Sequence, residues 1–292
     1  MEFLSAFISG LSSGGTYAMI ALGYTMVYGI AKMLNFAHGD VIMVGGYIMY
    51  VMLLMLGQNV FVGILVAVIF CVLLGIGVER FAYRPLRGAS PLAVLITAIG
   101  VSYLLQSLAL IIFKSSPKML AVLQITGGIK IGKLIIDYST LVTLAVAAAI
   151  MIALTLFVKK TKTGRAMVAV SEDRDAAKLM GINVNFIIMI TFAIGSALAA
   201  LAGLFMLMKA PSLSNTFGAM PGIKAFTAAV IGGIGSSPGA MLGGILLGVI
   251  EAISFKIPLI APYTDAIEFS ILIIILLVKP TGLLGKKRRE KV

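Results

Sequence analysis

The stretch INVNFIIMITFAIGSALAALAGLFMLM, residues 182–208, contains no charged side chain. Two further uncharged stretches run from Val60 to Val78 and from Tyr138 to Val158. A helix that crosses the hydrocarbon core of a bilayer needs about 20 apolar residues. These stretches do not alternate polar and apolar positions as a barrel would, and backbone groups within lipid must bond along their own helix. The sequence therefore predicts an all-α protein, a polytopic transmembrane helical bundle.

The composition of the whole chain agrees with this class. Hydrophobic residues make up 60% of the 292 residues and charged residues only 12%, whereas soluble domains carry about 25% charged residues. The formal net charge of +12 would also suit a nucleic-acid-binding protein. In a membrane protein, however, Lys and Arg mark the cytoplasmic loops. We therefore expect contact with membrane lipid and no nucleic-acid partner.

The apolar pattern predicts about eight spans within a single transmembrane domain, residues 1–292. The segments are 3–30, 40–56, 60–78, 92–113, 138–158, 182–208, 222–255 and 264–278. The first begins with Glu2 and no basic residues, so we expect a retained helix rather than a cleaved signal peptide. The seventh is interrupted by the glycine cluster at 232–239 and is expected to form two shorter helices that meet at a turn. Broken or re-entrant helices are thus part of the predicted fold.

The positive charges predict the sides of the membrane. All seven arginines fall in 79–91, 159–183 and the tail 279–292, so these segments should be cytoplasmic. Alternation of the spans then puts the N-terminus outside. The same alternation puts loop 114–137 outside, although it carries four lysines.

The chain lacks the residues that common catalytic and cofactor sites require. It has one histidine, His38, and one cysteine, Cys71, too few for a His/Cys metal site or a nucleophilic triad. It contains no phosphate-binding G-x-x-x-x-G-K-[ST] loop. We therefore expect no metal, no cofactor and no enzymatic activity in this chain.

Four acidic residues fall near or within the apolar segments. Asp265 and Glu268 are expected to stabilise the start of the last helix, with Thr264 as its N-cap. Glu251 is expected to reach the outer interface. Asp40 is the acid that has other polar residues beside it in the sequence, as we expect of a functional carboxylate within the membrane.

The loop between the fifth and sixth segments contains a predicted short helix. Ser171 is its expected N-cap, and Gly181 is its expected C′ residue. Ala176, Leu179 and Met180 form an apolar stripe along it. Such a helix is suited either to a groove in a cytoplasmic partner or to the membrane surface, and the residues alone leave both interpretations open.

Polar residues and glycine interrupt the apolar sequence at LNFAHGD, residues 34–40. Irregular backbone at membrane depth occurs where it is buried in protein or lines a path, so this segment is a candidate translocation path. A plain cytoplasmic turn is the alternative. The glycine-rich stretch 232–244 is a second candidate. Because Gly39 precedes Gly45-Gly46 and Gly239 precedes Gly243-Gly244, a structural repeat is a further hypothesis.

The motifs taken together resemble one known family. They are GLSSGGTYAMIALGYTMVYGI (10–30), LNFAHGD (34–40), ERFAYRPLRG (79–88), GRAMVAVSEDRDAAKLMGINV (164–184), AAVIGGIGSSPGAMLGG (228–244) and KPTGLLG (279–285). In this order and spacing, the chain resembles the permeases of branched-chain amino acid ABC importers, of the LivH type. The resemblance runs along nearly the whole chain.

The resemblance implies a system of several subunits in a prokaryotic cell membrane. Its partners are a second related permease, two cytoplasmic ATPases and an extracytoplasmic substrate-binding protein, and its substrates are leucine, isoleucine and valine. It implies that the loop couples to the ATPases through Gly164, Arg165, Ser171, Glu172, Asp173, Ala176, Ala177, Leu179, Met180 and Gly181. The expected translocation-path residues are Asn35, Phe36, His38, Gly39, Asp40, Gly232, Gly233, Gly235 and Gly239. A related substrate (another amino acid, an amide or urea) and a self-sufficient secondary transporter that uses Asp40 remain the alternatives.

Overall fold

The computed structural model describes residues 2–55, 59–120, 127–131 and 134–285. Within these ranges the chain is a bundle of α-helices: α1 (Glu2–Ala31), α2 (His38–Met55), α3 (Val60–Val78), α4 (Pro91–Phe113), α5 (Tyr138–Lys160), α6 (Lys162–Glu172), α7 (Arg174–Leu179), α8 (Val184–Lys209), α9 (Ala219–Gly232), α10 (Ser237–Lys256) and α11 (Thr264–Val278). A π-helical turn (Glu79–Tyr83) and a 3-10 turn (Arg84–Leu86) extend α3, and a 3-10 turn (Ala261–Tyr263) precedes α11.

Four short strands complete the described fold: β1 (Lys118–Met119), β2 (Gly128–Ile131), β3 (Leu134–Asp137) and β4 (Ser212–Leu213). β1 pairs antiparallel with β4, so Lys118 lies opposite Leu213. β2 and β3 form an antiparallel hairpin. These pairs lie between helices and form no closed sheet, so the predicted fold class, a polytopic transmembrane helical bundle, is confirmed.

The described helices agree with the predicted spans. Seven of them, α2, α3, α4, α5, α8, α10 and α11, are long and apolar enough to cross a membrane. The predicted segment 3–30 forms the 30-residue α1, whose glycine, serine, threonine and tyrosine residues lower its hydropathy. The predicted segment 222–255 divides into α9 and α10, as its glycine cluster indicates. The chain is a multi-pass membrane protein.

Helix α1 lies at the centre of the bundle and packs against α10, α8, α5 and α9. Its closest neighbour is α10. A Cβ on Gly10 would lie 2.7 Å from the Val249 Cα, and one on Gly14 would lie 2.7 Å from the Ile245 Cα. Because glycine has no side chain, the two backbones approach closely, which is how helices associate in lipid without a hydrophobic driving force.

Helix α2 begins inside the bundle rather than at its surface. The chain reverses after Ala31, and His38, the first residue of α2, lies beside Gly23 of α1, whose Cβ would be 2.6 Å from the His38 Nε2. Gly23 is eight residues before the end of α1, which corresponds to about 12 Å along a helix. The predicted break at 34–40 is therefore a re-entrant segment.

Helix α9 begins inside the bundle in the same way. Helix α8 ends at Lys209, whose ammonium donates to the Ser13 hydroxyl, in the first half of α1, at 3.2 Å. The segment 210–218 then turns back into the protein, and α9 starts beside Gly39 of α2. The sequence analysis did not identify this second re-entrant segment.

The described loops lie at two opposite ends of the bundle. The first end, where α1 begins, holds the described part of loop 114–137, because β1 pairs with β4 just after α8 and β3 contacts α1. The second end, where α1 ends, holds 161–183, since the Arg174 guanidinium donates to the Ala31 carbonyl. The tail to residue 285 is also there, because the Leu284 amide donates to the carbonyl of Gly232, at the end of α9. Tail residues 286–292 lie outside the described residues.

Candidate functional site

The two re-entrant helices meet near the middle of the bundle, at a contact that we call the junction. It is formed by Gly39 of α2 with Gly218 and Gly222 at the start of α9. A Cβ on Gly39 would lie 3.2 Å from the Gly222 Cα, and the neighbouring His38 ring lies against Gly195, halfway along α8. Since both helices begin here, the positive dipole ends of both are directed towards the same interior region.

Aromatic side chains surround the junction. The buried His38 ring packs edge-on against Tyr24 of α1, with ring centroids 4.7 Å apart. Phe226 of α9 lies 5.9 Å from Tyr24 and 5.6 Å from Phe36, measured between ring centroids. Among the described residues, the His38 Nε2 atom has no hydrogen-bond partner. The junction is thus an apolar contact that contains one buried imidazole.

Two other polar residues of the 34–40 segment form hydrogen bonds with neighbouring elements. The Asp40 carboxylate is buried and accepts a hydrogen bond from the Gln106 amide of α4 at 2.9 Å. The Asn35 side-chain oxygen accepts one from the Tyr83 hydroxyl at 2.9 Å. Buried polar groups are tolerated when they are paired in this way. Asp40 therefore lies towards α4, whereas Gly39 contacts α9.

A small pocket lies between the end of α1 and α9. It is lined by Tyr24, Val27, Tyr28, Met33, Leu34, Asn35, Phe226, Ala229 and Ile234. Nearly all of these side chains are apolar or aromatic. Asn35 comes from the first predicted path segment and Ile234 from the second, so both segments border this apolar pocket.

The predicted path glycines of the second segment lie at the far end of α9, away from the junction. Gly232 and Gly239 pack against each other where α9 turns into α10, while Gly233 and Gly235 have φ of 107° and 94°. A side chain is strained in that backbone region. The Leu283 amide of the tail donates to the Ile231 carbonyl at 2.8 Å. This turn is therefore covered by the tail at the second end.

The predicted coupling loop contains two helices, α6 and α7, rather than the single predicted helix. Ser171 is inside α6, where its hydroxyl donates to the Val168 carbonyl at 2.7 Å. The N-cap of α7 is Asp173, whose carboxylate accepts from the Asp175 and Ala176 amides at 2.9 Å each. The prediction of Ser171 as N-cap is wrong, because the helix that begins after Thr161 continues to Glu172.

Gly181 is the C′ residue of α7, as predicted. Its φ is 79°, and its amide donates to the Lys178 carbonyl at 3.0 Å. The Ile182 amide donates to the Ala177 carbonyl at 3.0 Å, which completes a Schellman cap. Ala177 is buried, whereas Leu179 and Met180 are 88% and 83% exposed. The apolar stripe of α7 is thus directed away from the bundle at the second end.

A buried ionic cluster was missed by the sequence analysis. The Lys224 ammonium of α9 lies 2.5 Å from Glu251 of α10, and 2.8 Å and 3.3 Å from Asp265 and Glu268 of α11. The Tyr17 hydroxyl of α1 donates to the Glu251 carboxylate at 3.0 Å. We call these five residues the ionic cluster. A lysine in an apolar helix requires a partner, and that signal would have pointed to the nearby acids.

The cluster corrects three expectations. Thr264 does not cap α11, because it is the first helical residue and its hydroxyl donates to the Ala261 carbonyl at 2.9 Å. Asp265 pairs with Lys224, and the side chain of Glu268 is fully buried. Glu251 bonds within the protein instead of reaching the interface. These pairings join residues far apart in sequence, so local helix rules do not predict them.

Comparison with known proteins decides the family. Residues 6–276 match the family described as "Branched-chain amino acid transport system / permease component". The chain belongs to this permease family. It is 43% identical to the high-affinity branched-chain amino acid transport system permease protein BraD of Pseudomonas aeruginosa, across 100% of this chain and 98% of that protein. It is 42% identical to the corresponding protein LivH of Salmonella typhimurium, with the same coverage.

A solved structure, PsaBC from Streptococcus pneumoniae in complex with Fab, is a more distant match to the permease. It is 18% identical, covers 96% of this chain and 91% of that chain, and has a TM-score of 0.47. This likeness is too remote to support a conclusion about either fold or function.

In the permease, the predicted site residues fall in three places. Phe36, His38 and Gly39 lie at the junction and Asp40 lies towards α4, with Asn35 at the apolar pocket. The glycines of 232–239 form the covered turn at the second end. The predicted coupling residues lie on α6, on α7 and at the two ends of α7, and the Arg174 guanidinium donates to the carbonyl of the last residue of α1.

Proposed function

We propose that this chain is the transmembrane permease subunit of an ATP-driven importer for leucine, isoleucine and valine in a prokaryotic cell membrane, and that its whole length acts as one permease domain. The observation that carries the proposal is full-length similarity to relatives that are named branched-chain amino acid permease proteins. The proposed partners are a second related permease, two cytoplasmic ATPases and an extracytoplasmic binding protein.

The junction and its apolar pocket are the proposed translocation path. The start of each re-entrant helix is the positive end of its dipole, which favours a carboxylate. The pocket beside it is lined by side chains such as Val27, Phe226 and Ile234, which suit branched aliphatic groups. An amino acid with an aliphatic side chain combines these two features.

Helix α7 is the proposed contact with the ATPases. Its exposed stripe, Leu179 and Met180, lies at the second end together with Arg84, Arg87 and Arg174. Under the positive-inside rule this end is cytoplasmic. An exposed apolar stripe on a short, firmly capped helix is suited to a groove in a partner protein.

The proposed mechanism is alternating access driven through this contact. The Arg174 guanidinium donates to the carbonyl of Ala31, the last residue of α1. The re-entrant segment that leads to Gly39 begins directly afterwards. Movement of α7 therefore reaches the junction through one hydrogen bond and seven residues of chain. Closure of the ATPases on ATP would move this segment and change which end of the path is open.

Purification of the tagged chain in mild detergent, expressed with the other subunits, tests the proposal. We expect one related permease and two ATPase chains to co-purify, and leucine uptake in liposomes to require ATP. Leu179→Ser together with Met180→Ser should release the ATPases, because it removes the apolar stripe. The matched control is Lys178→Ser, which changes an exposed residue on the opposite face of α7 and should leave the complex intact.

A different result would favour the secondary transporter. If the chain purifies as a homo-oligomer, transports leucine without ATPases and loses that transport in Asp40→Asn, the importer proposal is wrong. The buried position of Asp40 against Gln106 makes that variant informative, since it removes the charge and keeps the size.

A further inference from the structure

Another pocket lies at the second end of the bundle, away from the junction. It has a volume of about 190 Å³, and its lining residues are Glu79, Arg84, Asn183, Asn185, Phe186 and Met189. We call it the boundary pocket, because it lies where the span formed by α3 and its turns ends and the span α8 begins. It has room for a group much larger than a water molecule, and it belongs neither to the proposed path nor to the proposed ATPase contact.

A π-helical turn brings two charged residues, Glu79 and Arg84, to the same pocket. The Arg84 amide donates to the Glu79 carbonyl across the turn. Residues five apart point in different directions on a regular α-helix, which has about 3.6 residues per turn, but the wider π turn brings them to one side. Single π turns of this kind are rare and are frequent at functional sites. The boundary pocket therefore depends on a local departure from regular helix at the end of α3.

Arg84 carries the uncompensated charge of the boundary pocket. The other charged residue of the lining, Glu79, is buried, and its carboxylate accepts a hydrogen bond from the Arg87 guanidinium, so that pair is neutral. The Arg84 guanidinium, by contrast, makes no hydrogen bond or ion pair with another described residue. The start of α8 at Val184 adds the positive end of a helix dipole. The pocket therefore favours an anion.

The two asparagines of the lining add hydrogen-bond donors. The Asn183 side-chain oxygen accepts from the Phe186 amide at 3.1 Å, which caps α8, and the Asn185 side-chain oxygen accepts from the Arg87 guanidinium. Because each oxygen is used within the protein, the side-chain NH₂ group of each asparagine is left to donate. With the Arg84 guanidinium, three donor groups thus line one pocket. A phosphate presents several acceptor oxygens and matches such a set.

The apolar side of the boundary pocket lies further into the membrane. Asn183 and Asn185 are at the start of α8, whereas Phe186 and Met189 lie further along this span. Phe186 is 49% exposed, and Phe81, in the π turn, is 81% exposed. Exposed apolar side chains on a spanning helix contact lipid. Polar donors at the membrane boundary, followed by apolar side chains towards the bilayer, are the arrangement that a phospholipid requires.

We propose that the boundary pocket binds the phosphate of an anionic phospholipid, with Arg84 as its charged donor and with Phe186 and Met189 beside the acyl chains. Basic pockets between membrane helices on the cytoplasmic side bind such headgroups, and under the positive-inside rule this end is cytoplasmic. A zwitterionic lipid would bring a second cation to a pocket that already has one. An acidic group of a cytoplasmic protein would satisfy Arg84 but leave the apolar side of the pocket uncovered.

Native mass spectrometry of the purified, delipidated permease complex tests the site. Dioleoyl phosphatidylglycerol is the probe, and dioleoyl phosphatidylcholine, which has the same chains and no net charge, is the control lipid. We expect the complex to bind phosphatidylglycerol more tightly. Arg84→Gln should weaken the affinity for one phosphatidylglycerol about tenfold or more, since a charge-assisted hydrogen bond is lost. Lys162→Gln, which removes another exposed positive charge at the same end, should leave that affinity unchanged.

A second variant separates the boundary pocket from general surface charge. Asn183→Asp keeps the oxygen that caps α8 and replaces the amide donor with a negative charge. It should weaken the same binding without unfolding the start of α8. Equal losses in Arg84→Gln and Lys162→Gln, or equal affinities for the two lipids, would show non-specific attraction and overturn the site.

Two further outcomes would assign the boundary pocket to a different occupant. If inorganic phosphate alone displaces phosphatidylglycerol and protects the complex against thermal unfolding, the pocket binds a soluble anion. If Arg84→Gln leaves lipid binding unchanged and releases the ATPase chains, the pocket holds an acidic group of that partner. Either result overturns the lipid proposal. None of these measurements follows transport, so each of them leaves the proposed function standing.

Discussion

Gly39 lies where the backbones of two re-entrant helices touch. Any side chain there would meet the Gly218 carbonyl and the Gly222 Cα, and both are backbone atoms that cannot turn aside. The junction therefore depends on the absence of a single Cβ. The same physical reason explains why a glycine, rather than one of the neighbouring polar residues, is the most constrained position of the 34–40 segment.

Gly39→Ala tests this constraint. Overpacking a close contact costs about 1–3 kcal/mol, so we expect a lower unfolding temperature of the purified complex together with reduced leucine uptake. Gly77→Ala is the control, because it changes a glycine of α3 whose Cβ would have no neighbour within 4 Å. Uptake and stability equal to the wild type in Gly39→Ala would show that the two helix starts are not held in contact.

The elements differ in how much of them the sequence predicts. The spans follow from uncharged runs such as Val60 to Val78, and the division between α9 and α10 follows from the glycines at 232–239. Both are local signals that any lipid-embedded helix must carry. The re-entrant segment 210–218 contains proline and polar residues, but this composition is equally typical of a plain loop between two spans. The partners of Lys224 are contributed by other helices. These features depend on packing between distant parts of the chain, which one sequence does not reveal.

The break between α6 and α7 is a further feature that the sequence did not predict. A continuous helix through 162–179 would have matched the local composition, but Asp173 adopts an extended backbone with φ of −152° and caps α7. Short helices are marginal on their own, so this cap determines whether α7 forms. The stripe of Leu179 and Met180 is presented only when α7 is folded.

Asp173→Ala should therefore loosen α7 without unfolding the bundle. Loss of an N-cap costs about 1 kcal/mol, and we expect faster hydrogen exchange at the amides of Lys178 and Leu179, together with weaker retention of the ATPase subunits. Asp173→Asn keeps a side-chain acceptor and should restore most of the protection. Unchanged exchange in Asp173→Ala would mean that contacts with α8, rather than the cap, hold α7 in place.

At the scale of the whole molecule, the charge pattern and the arrangement of the loops both favour the proposed orientation, with the second end cytoplasmic. The second end carries Arg84, Arg87, Arg165 and Arg174, and the described part of loop 114–137 lies at the opposite end in spite of its lysines. The lysines of that loop do not change the proposed orientation, because the five described arginines and most of the described basic residues lie at the second end.

Single-cysteine labelling in intact cells checks this orientation. The native Cys71 is fully buried and should stay unreactive towards an impermeant maleimide, so introduced cysteines report alone. Ser116→Cys, exposed in the loop at the first end, should be labelled from outside, whereas Lys162→Cys, exposed at the start of α6, should be labelled only after the membrane is permeabilised. The reverse pattern would place α7 outside the cell, where no ATPase can reach it, and the coupling proposal would fail together with the orientation.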